Sequence, residues 1–129
     1  MSINIYEENR ILTASPLELV RILHNAAVRS VEDAREHLRA GDIAARSRAI
    51  NKTQMIVMEL AASLDRTQAV ELSDRLLALY DYILTRLVEA NSRQQDAPLA
   101  EVSRLMGTLQ EGWSECAITE EAQPVLAGR

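Results

Sequence analysis

The stretch Leu76–Asn91 constrains the fold more than any other part of the chain. Leu76, Tyr80, Ile83, Leu87 and Ala90 recur in steps of four and three, so they share one helical stripe. Leu77, Leu84 and Asn91, seven apart, form a second stripe beside it. Together they give an apolar arc wider than a surface helix needs, which requires neighbours on more than one side. One reading is a central bundle helix; another is that part of the width serves a second polypeptide. Tyr80 and Tyr82 are two residues apart and point in different directions, so at least one hydroxyl must meet water or a polar partner.

The other segments carry the same period. Ser15-Pro-Leu-Glu18 is a capping box with proline at the first helical position. Leu17, Val20, His24, Ala27, Val31, Ala34 and Leu38 follow as one stripe about six turns long. Gly41 suits a left-handed helix end, and Asp42 can cap the next helix. That helix is expected from about Ile43 to Leu64, with Ile43, Ile50, Val57 and Leu64 every seven residues and Thr53 and Leu60 interleaved. Met55 and Ile56 widen its arc, and Met58 lies on the far side. After the connector Asp65–Gln68 the third helix runs to about Asn91. Asp96 and Pro98 open a fourth, where Leu99, Val102, Met106, Leu109, Trp113 and Cys116 alternate steps of three and four. The expected architecture is all-α, an antiparallel up-down four-helix bundle over residues 15–118. A flexible N-terminal arm (1–14) precedes it, and an acidic, proline-containing tail (119–129) follows.

Composition narrows the function. A net charge of −5 disfavours a nucleic-acid backbone as partner. No apolar run approaches the roughly 18 residues of a membrane span. One cysteine fits a reducing compartment, and the N-terminus lacks the pattern of a signal peptide, so the expected location is the cytoplasm. His24 and His37 are too isolated for a metal site, and His24 reads as a satisfied core histidine. Cys116 reads as a small hydrophobe rather than a nucleophile. Glu32, Asp33 and Glu36 interleaved with Arg29, Arg35 and Arg39 read as a solvated face. No phosphate loop, zinc spacing or nucleophile elbow occurs, and the seams show no buried charge, so neither catalysis nor a cofactor is expected. The arm carries Ile3, Ile5, Tyr6, Ile11 and Leu12, which suits a segment pinned to the bundle or a removable flap over a groove.

Tyr6, Asn9 and Thr13-Ala-Ser-Pro16 ahead of a leucine-rich helix resemble the opening of the FliS family of flagellar secretion chaperones. So do Leu79-Tyr-Asp-Tyr82, Arg86-Leu87, Glu89-Ala-Asn91, Glu101-Val102 and Trp113, in order across residues 6 to 116. Where that family usually has Leu-Tyr in the first helix, this chain has Leu23-His24. The resemblance implies a cytoplasmic chaperone that holds the disordered C-terminal segment of flagellin around the bundle. It also implies prevention of premature polymerisation and support for delivery to the export gate, with an arm able to cover part of the site. Matching positions and apolar excess together nominate Tyr6, Ile11, Ile50, Gln54, Val57, Met58, Ala61, Tyr80 and Leu84 as flagellin contacts. An alternative is a scaffold or regulator that binds another flagellar export component. A monomer and an arm-exchanged homodimer both remain open.

Overall fold

The computed structural model describes residues 15–67 and 69–116, and the arm and tail lie outside them. Four helices make up the fold: α1 (Pro16–Arg39), α2 (Ile43–Ala62), α3 (Val70–Arg93) and α4 (Asp96–Cys116). Their ends follow from local chemistry. The Ser15 hydroxyl accepts from the Glu18 amide at 3.2 Å and starts α1. Gly41, at φ +73°, closes it. The Gly41 amide donates to the Leu38 carbonyl at 3.1 Å and the Asp42 amide to that of His37 at 3.0 Å, a Schellman pair. Asp42 then caps α2 by accepting from the Ala45 amide at 3.0 Å.

Two boundaries differ from expectation. α2 stops at Ala62, where the Ser63 hydroxyl bonds the Leu60 carbonyl at 2.7 Å, although Leu64 is still buried. The connector that follows lacks glycine and is organised instead by Asp65. Its carboxylate accepts from the Thr67 hydroxyl at 2.6 Å and the Thr67 amide at 3.0 Å, which holds its pKa below the usual carboxylate range. α3 continues two residues past Asn91 and ends at Gln94, a non-glycine residue in the left-handed region at φ 55°.

Consecutive helices are neighbours, and α4 closes back onto α1. α1 packs most extensively on α2, because its facing positions are small: Ala27, Ala34 and Ser30. There the Ser30 and Thr53 hydroxyls bond at 2.6 Å. α3 makes the sparser contacts with its two neighbours. The periodic stripes all reach the core: Val20, Ala27 and Val31 from α1, Ile50, Val57 and Leu60 from α2, Ile83 and Leu87 from α3, Leu99, Val102 and Met106 from α4. Ile43 is the exception in the α2 stripe, exposed at the first turn on the bundle rim.

The centre holds a polar link. His24 Nδ1 donates to the Val20 carbonyl at 2.8 Å, which leaves Nε2 as acceptor for the Tyr80 hydroxyl at 3.2 Å. The Tyr80 and Trp113 rings each lie 6.1 Å from the imidazole. Burial pulls the His24 pKa down from 6.5 to about 4, partly opposed by the Val20 hydrogen bond. Burial pushes the Tyr80 phenol up to about 12. The expectation of a satisfied core histidine is met, with the ring fully buried.

Two outcomes are expected. The unfolded chain takes up the His24 proton near pH 6.5 and the folded one only near 4, so this contribution is intact above pH 6.5 and lost as pH falls towards 4. Urea unfolding at pH 7 and pH 5 should show the wild type losing about 2 kcal/mol more than His24→Gln over that interval; equal losses would contradict it. At the end of α3, Gln94→Gly removes the left-handed penalty. It should add about 0.5–1 kcal/mol and raise Tm by a few degrees in a thermal melt.

Candidate protein-binding site

Apolar side chains are unevenly distributed over the surface. Among the described residues, the large exposed hydrophobics are Ile43, Met55 and Met58 on α2 and Val70, Leu72, Tyr82 and Val88 on α3. α1 and α4 contribute none of these. The accessible apolar surface therefore belongs to the two middle helices.

Their shared seam has a simple register. On α2, Ser47, Gln54 and Ala61 are seven apart; on α3, so are Leu77, Leu84 and Asn91. The Ser47 hydroxyl donates to Asn91 Oδ1 at 2.9 Å. Antiparallel helices pinned at that pair bring Gln54 opposite Leu84 and Ala61 opposite Leu77. All six are half-buried. Met58 lies between Gln54 and Ala61 on the α2 lip, 59% exposed, and Val88 between Leu84 and Asn91 on the α3 lip, 58% exposed.

The seam is tied at one end. Arg46, almost wholly buried, directs Nη2 to the Asn91 carbonyl at 3.4 Å, and its Nε has no hydrogen-bond partner. The last carbonyls of α3 carry the negative end of its dipole and partly compensate this cation. A buried charge at a seam departs from the sequence expectation. The seams on either side of α4 are different in kind. Arg35 on α1 forks onto Asp96 at 2.9 and 3.0 Å and reaches Glu32 at 3.1 Å, while Ser103 donates to Glu32 at 2.6 Å. Asn25 and Gln110 bond across the same seam. The Ser103 hydrogen bond, reinforced by Arg35, holds the Glu32 pKa below its ordinary value, and Arg35 does the same to Asp96. Glu32 and Arg35 are thus inter-helix links rather than members of a solvated face. Between α3 and α4, Glu101 accepts from Tyr82 at 2.7 Å and Arg86 at 2.6 Å, which depresses its pKa. Both tyrosines of the Tyr-Asp-Tyr motif have partnered hydroxyls, one inside and one at the surface.

Of the nominated contacts, the structure brings Gln54, Met58, Ala61 and Leu84 together on the α2–α3 seam. Ile50, Val57 and Tyr80 lie in the core directly beneath it, with no face open to a partner. Their stripe positions point inward, because a three-four period marks whichever face packs, and here that face is internal. Tyr6 and Ile11 lie outside the described residues, as does the Cys116 side chain. Val88 and Ser47 were not singled out by sequence, although Val88 sits four residues after Leu84 and three before Asn91. No cluster of His, Cys, Asp or Glu suited to a metal occurs among the described residues, and no helix there is long and apolar enough to cross a membrane.

The molecule is thus an all-helical up-down bundle whose accessible apolar surface is gathered on its two middle helices. It belongs to the FliS family: the family model described as flagellar protein FliS matches residues 2–121. The flagellar secretion chaperone FliS of Salmonella typhimurium is 33% identical over 109 residues, covering 84% of this chain and 81% of that protein. Its namesake from Bacillus subtilis is 31% identical over 115 residues, covering 89% and 85%, and that from Escherichia coli 32% over 116 residues, covering 87% and 83%.

Neighbouring positions on α2 should respond oppositely to charge. Val57→Asp places an unpaired carboxylate in the core and should cost several kcal/mol, enough to unfold much of the protein. Met58→Asp, one residue on, should change stability by less than about 0.5 kcal/mol in urea unfolding.

Proposed function

We propose that this chain is a cytoplasmic, non-catalytic export chaperone that binds the disordered C-terminal segment of flagellin. In that role it prevents premature polymerisation and supports delivery to the flagellar export apparatus. Membership of the FliS family supports the flagellar export setting. The observation that carries the binding mode is the half-buried seam between α2 and α3, with apolar lips at Met58 and Val88. A segment without structure of its own folds on such a preformed groove, its ordering cost offset by apolar burial.

In this reading Gln54, Met58, Ala61 and Leu84, joined by Val88, form the accessible contact. Ile50, Val57 and Tyr80 support it from the core, and Tyr6 and Ile11 of the arm compete with the bound segment. Sparse packing between α2 and α3 lets the seam widen around inserted side chains at little cost to the rest of the bundle.

Calorimetric titration with a C-terminal peptide from the same organism's flagellin tests the proposal. The expected result is one-to-one binding with a large negative heat-capacity change. Met58→Glu with Val88→Glu should weaken it by about tenfold or more while circular dichroism stays unchanged. Absence of heat and of co-elution with a folded bundle would overturn the proposal. Undiminished binding by the folded double variant would move the contact away from this seam.

A further inference from the structure

The chain has four methionines, and the three among the described residues sit in three different surroundings. Met106 is wholly enclosed in the core. Met55, 61% exposed, borders an open groove of about 720 Å³ against α1, where Arg48, Asn51 and Lys52 supply donors. Met58 is equally exposed but stands on the α2 lip of the seam. Its neighbours there, Ala61, Leu84 and Val88, have no side-chain donor; Gln54, one turn earlier, has one. The fold thus offers one thioether to solvent where a partner is to be buried, offers a second away from that place, and hides the third.

This difference decides what oxidation would do. A thioether reacts where peroxide can reach a sulfur lone pair, and the sulfoxide replaces an apolar atom with a polar group. On the free protein the new oxygen is hydrated, and α2 keeps its packing because its core stripe is untouched. Beneath an apolar segment the oxygen loses that water and has only Gln54 to turn to, and burying a polar group without a partner is costly. The same oxygen on Met55 stays in water beside donors.

We propose that Met58 is an oxidation switch on loading: peroxide converts its thioether to the sulfoxide, which bars a partner segment from the α2–α3 seam. The proposal rests on the seam being the site of the flagellin segment. In the step, a Met58 sulfur lone pair attacks one oxygen of hydrogen peroxide and the O–O bond breaks. The proton on the transferred oxygen passes to the departing hydroxide, which leaves as water. Sulfur is oxidised by two electrons and peroxide is reduced by two. Methionine sulfoxide reductases reverse the change with two thiols, which become a disulfide while the oxygen leaves as water. A bound segment shields the sulfur, so the switch acts on the unloaded chaperone.

The test uses Cys116→Ser protein treated with hydrogen peroxide and read by tandem mass spectrometry. Met55 and Met58 should oxidise at least tenfold faster than Met106. Saturating flagellin C-terminal peptide should slow Met58 tenfold or more and leave Met55 unchanged. In calorimetry the oxidised protein, still folded by circular dichroism, should bind the peptide at least tenfold more weakly, and reductase treatment should restore the affinity. Met58→Leu protein should show the same affinity before and after peroxide, whereas Met55→Leu protein should lose affinity as its parent does. Met58 as slow to oxidise as Met106, affinity unchanged by oxidation, or an equal loss in Met58→Leu would overturn the switch and leave the seam reading standing. Failure of the unoxidised protein to bind the peptide would overturn both.

Discussion

The hydrogen bond from the Tyr80 hydroxyl to His24 crosses the diagonal of the bundle, joining two helices that otherwise barely meet. Trp113 packs against the same imidazole from α4. Three of the four helices are thereby referenced to one buried polar group, and the geometry admits only one tautomer of the ring. A polar link inside an aliphatic core costs little while every member is satisfied, and it rejects packings that leave a member unpaired. Here it fixes the rotation of α3 about its own axis, so that the Leu77–Leu84–Asn91 stripe faces α2 and Tyr82 and Arg86 face α4.

With α3 held from the centre, its two edges are free to differ. Towards α4 the seam is closed by charge-assisted bonds on Glu101, and α4 is bound to α1 by the Arg35 fork onto Asp96. Towards α2 the contact is sparse, sets Ala61, Leu77 and Leu84 among Ser47, Gln54 and Asn91, and is tied at Asn91. α2 itself has three faces: one packed tightly on α1 through small residues, one forming the loose seam, and one turned outward. Its methionines lie on the latter two, where an unbranched, polarizable side chain can accommodate different neighbours.

The architecture was legible because a three-four period over about twenty residues admits few alternatives, and because Ser15, Gly41 and Asp42 use chemistry specific to helix ends. The ends of α2 and α3 were less legible. Ser63 and Gln94 do work that sequence usually assigns to glycine, one through a hydroxyl and one through a strained backbone angle. For the site, periodicity identified which residues share a stripe but not whether that stripe faces in or out. Val57 and Met58 have equal apolar credentials, and only the position of α1 and α3 around α2 separates core from lip. Glu32 and Arg35 looked like surface charges for the same reason: their partners, Asp96 and Ser103, are more than sixty residues away in the chain.

The even number of antiparallel helices brings the entry to α1 and the exit from α4 to the same end of the bundle. That end also holds the Asp65 connector and the Ala61–Leu77 layer, opposite the Asn91 tie. The seam is thus held at both ends, by the Ser47–Asn91 pair at one and by the Asp65 connector at the other, where the Ser73 hydroxyl donates to the Asp65 carbonyl at 3.1 Å and Arg66 pairs with Asp74 at 3.3 Å. With both ends fixed, the seam gives most readily at its middle, in the Gln54–Leu84 layer flanked by Met58 and Val88.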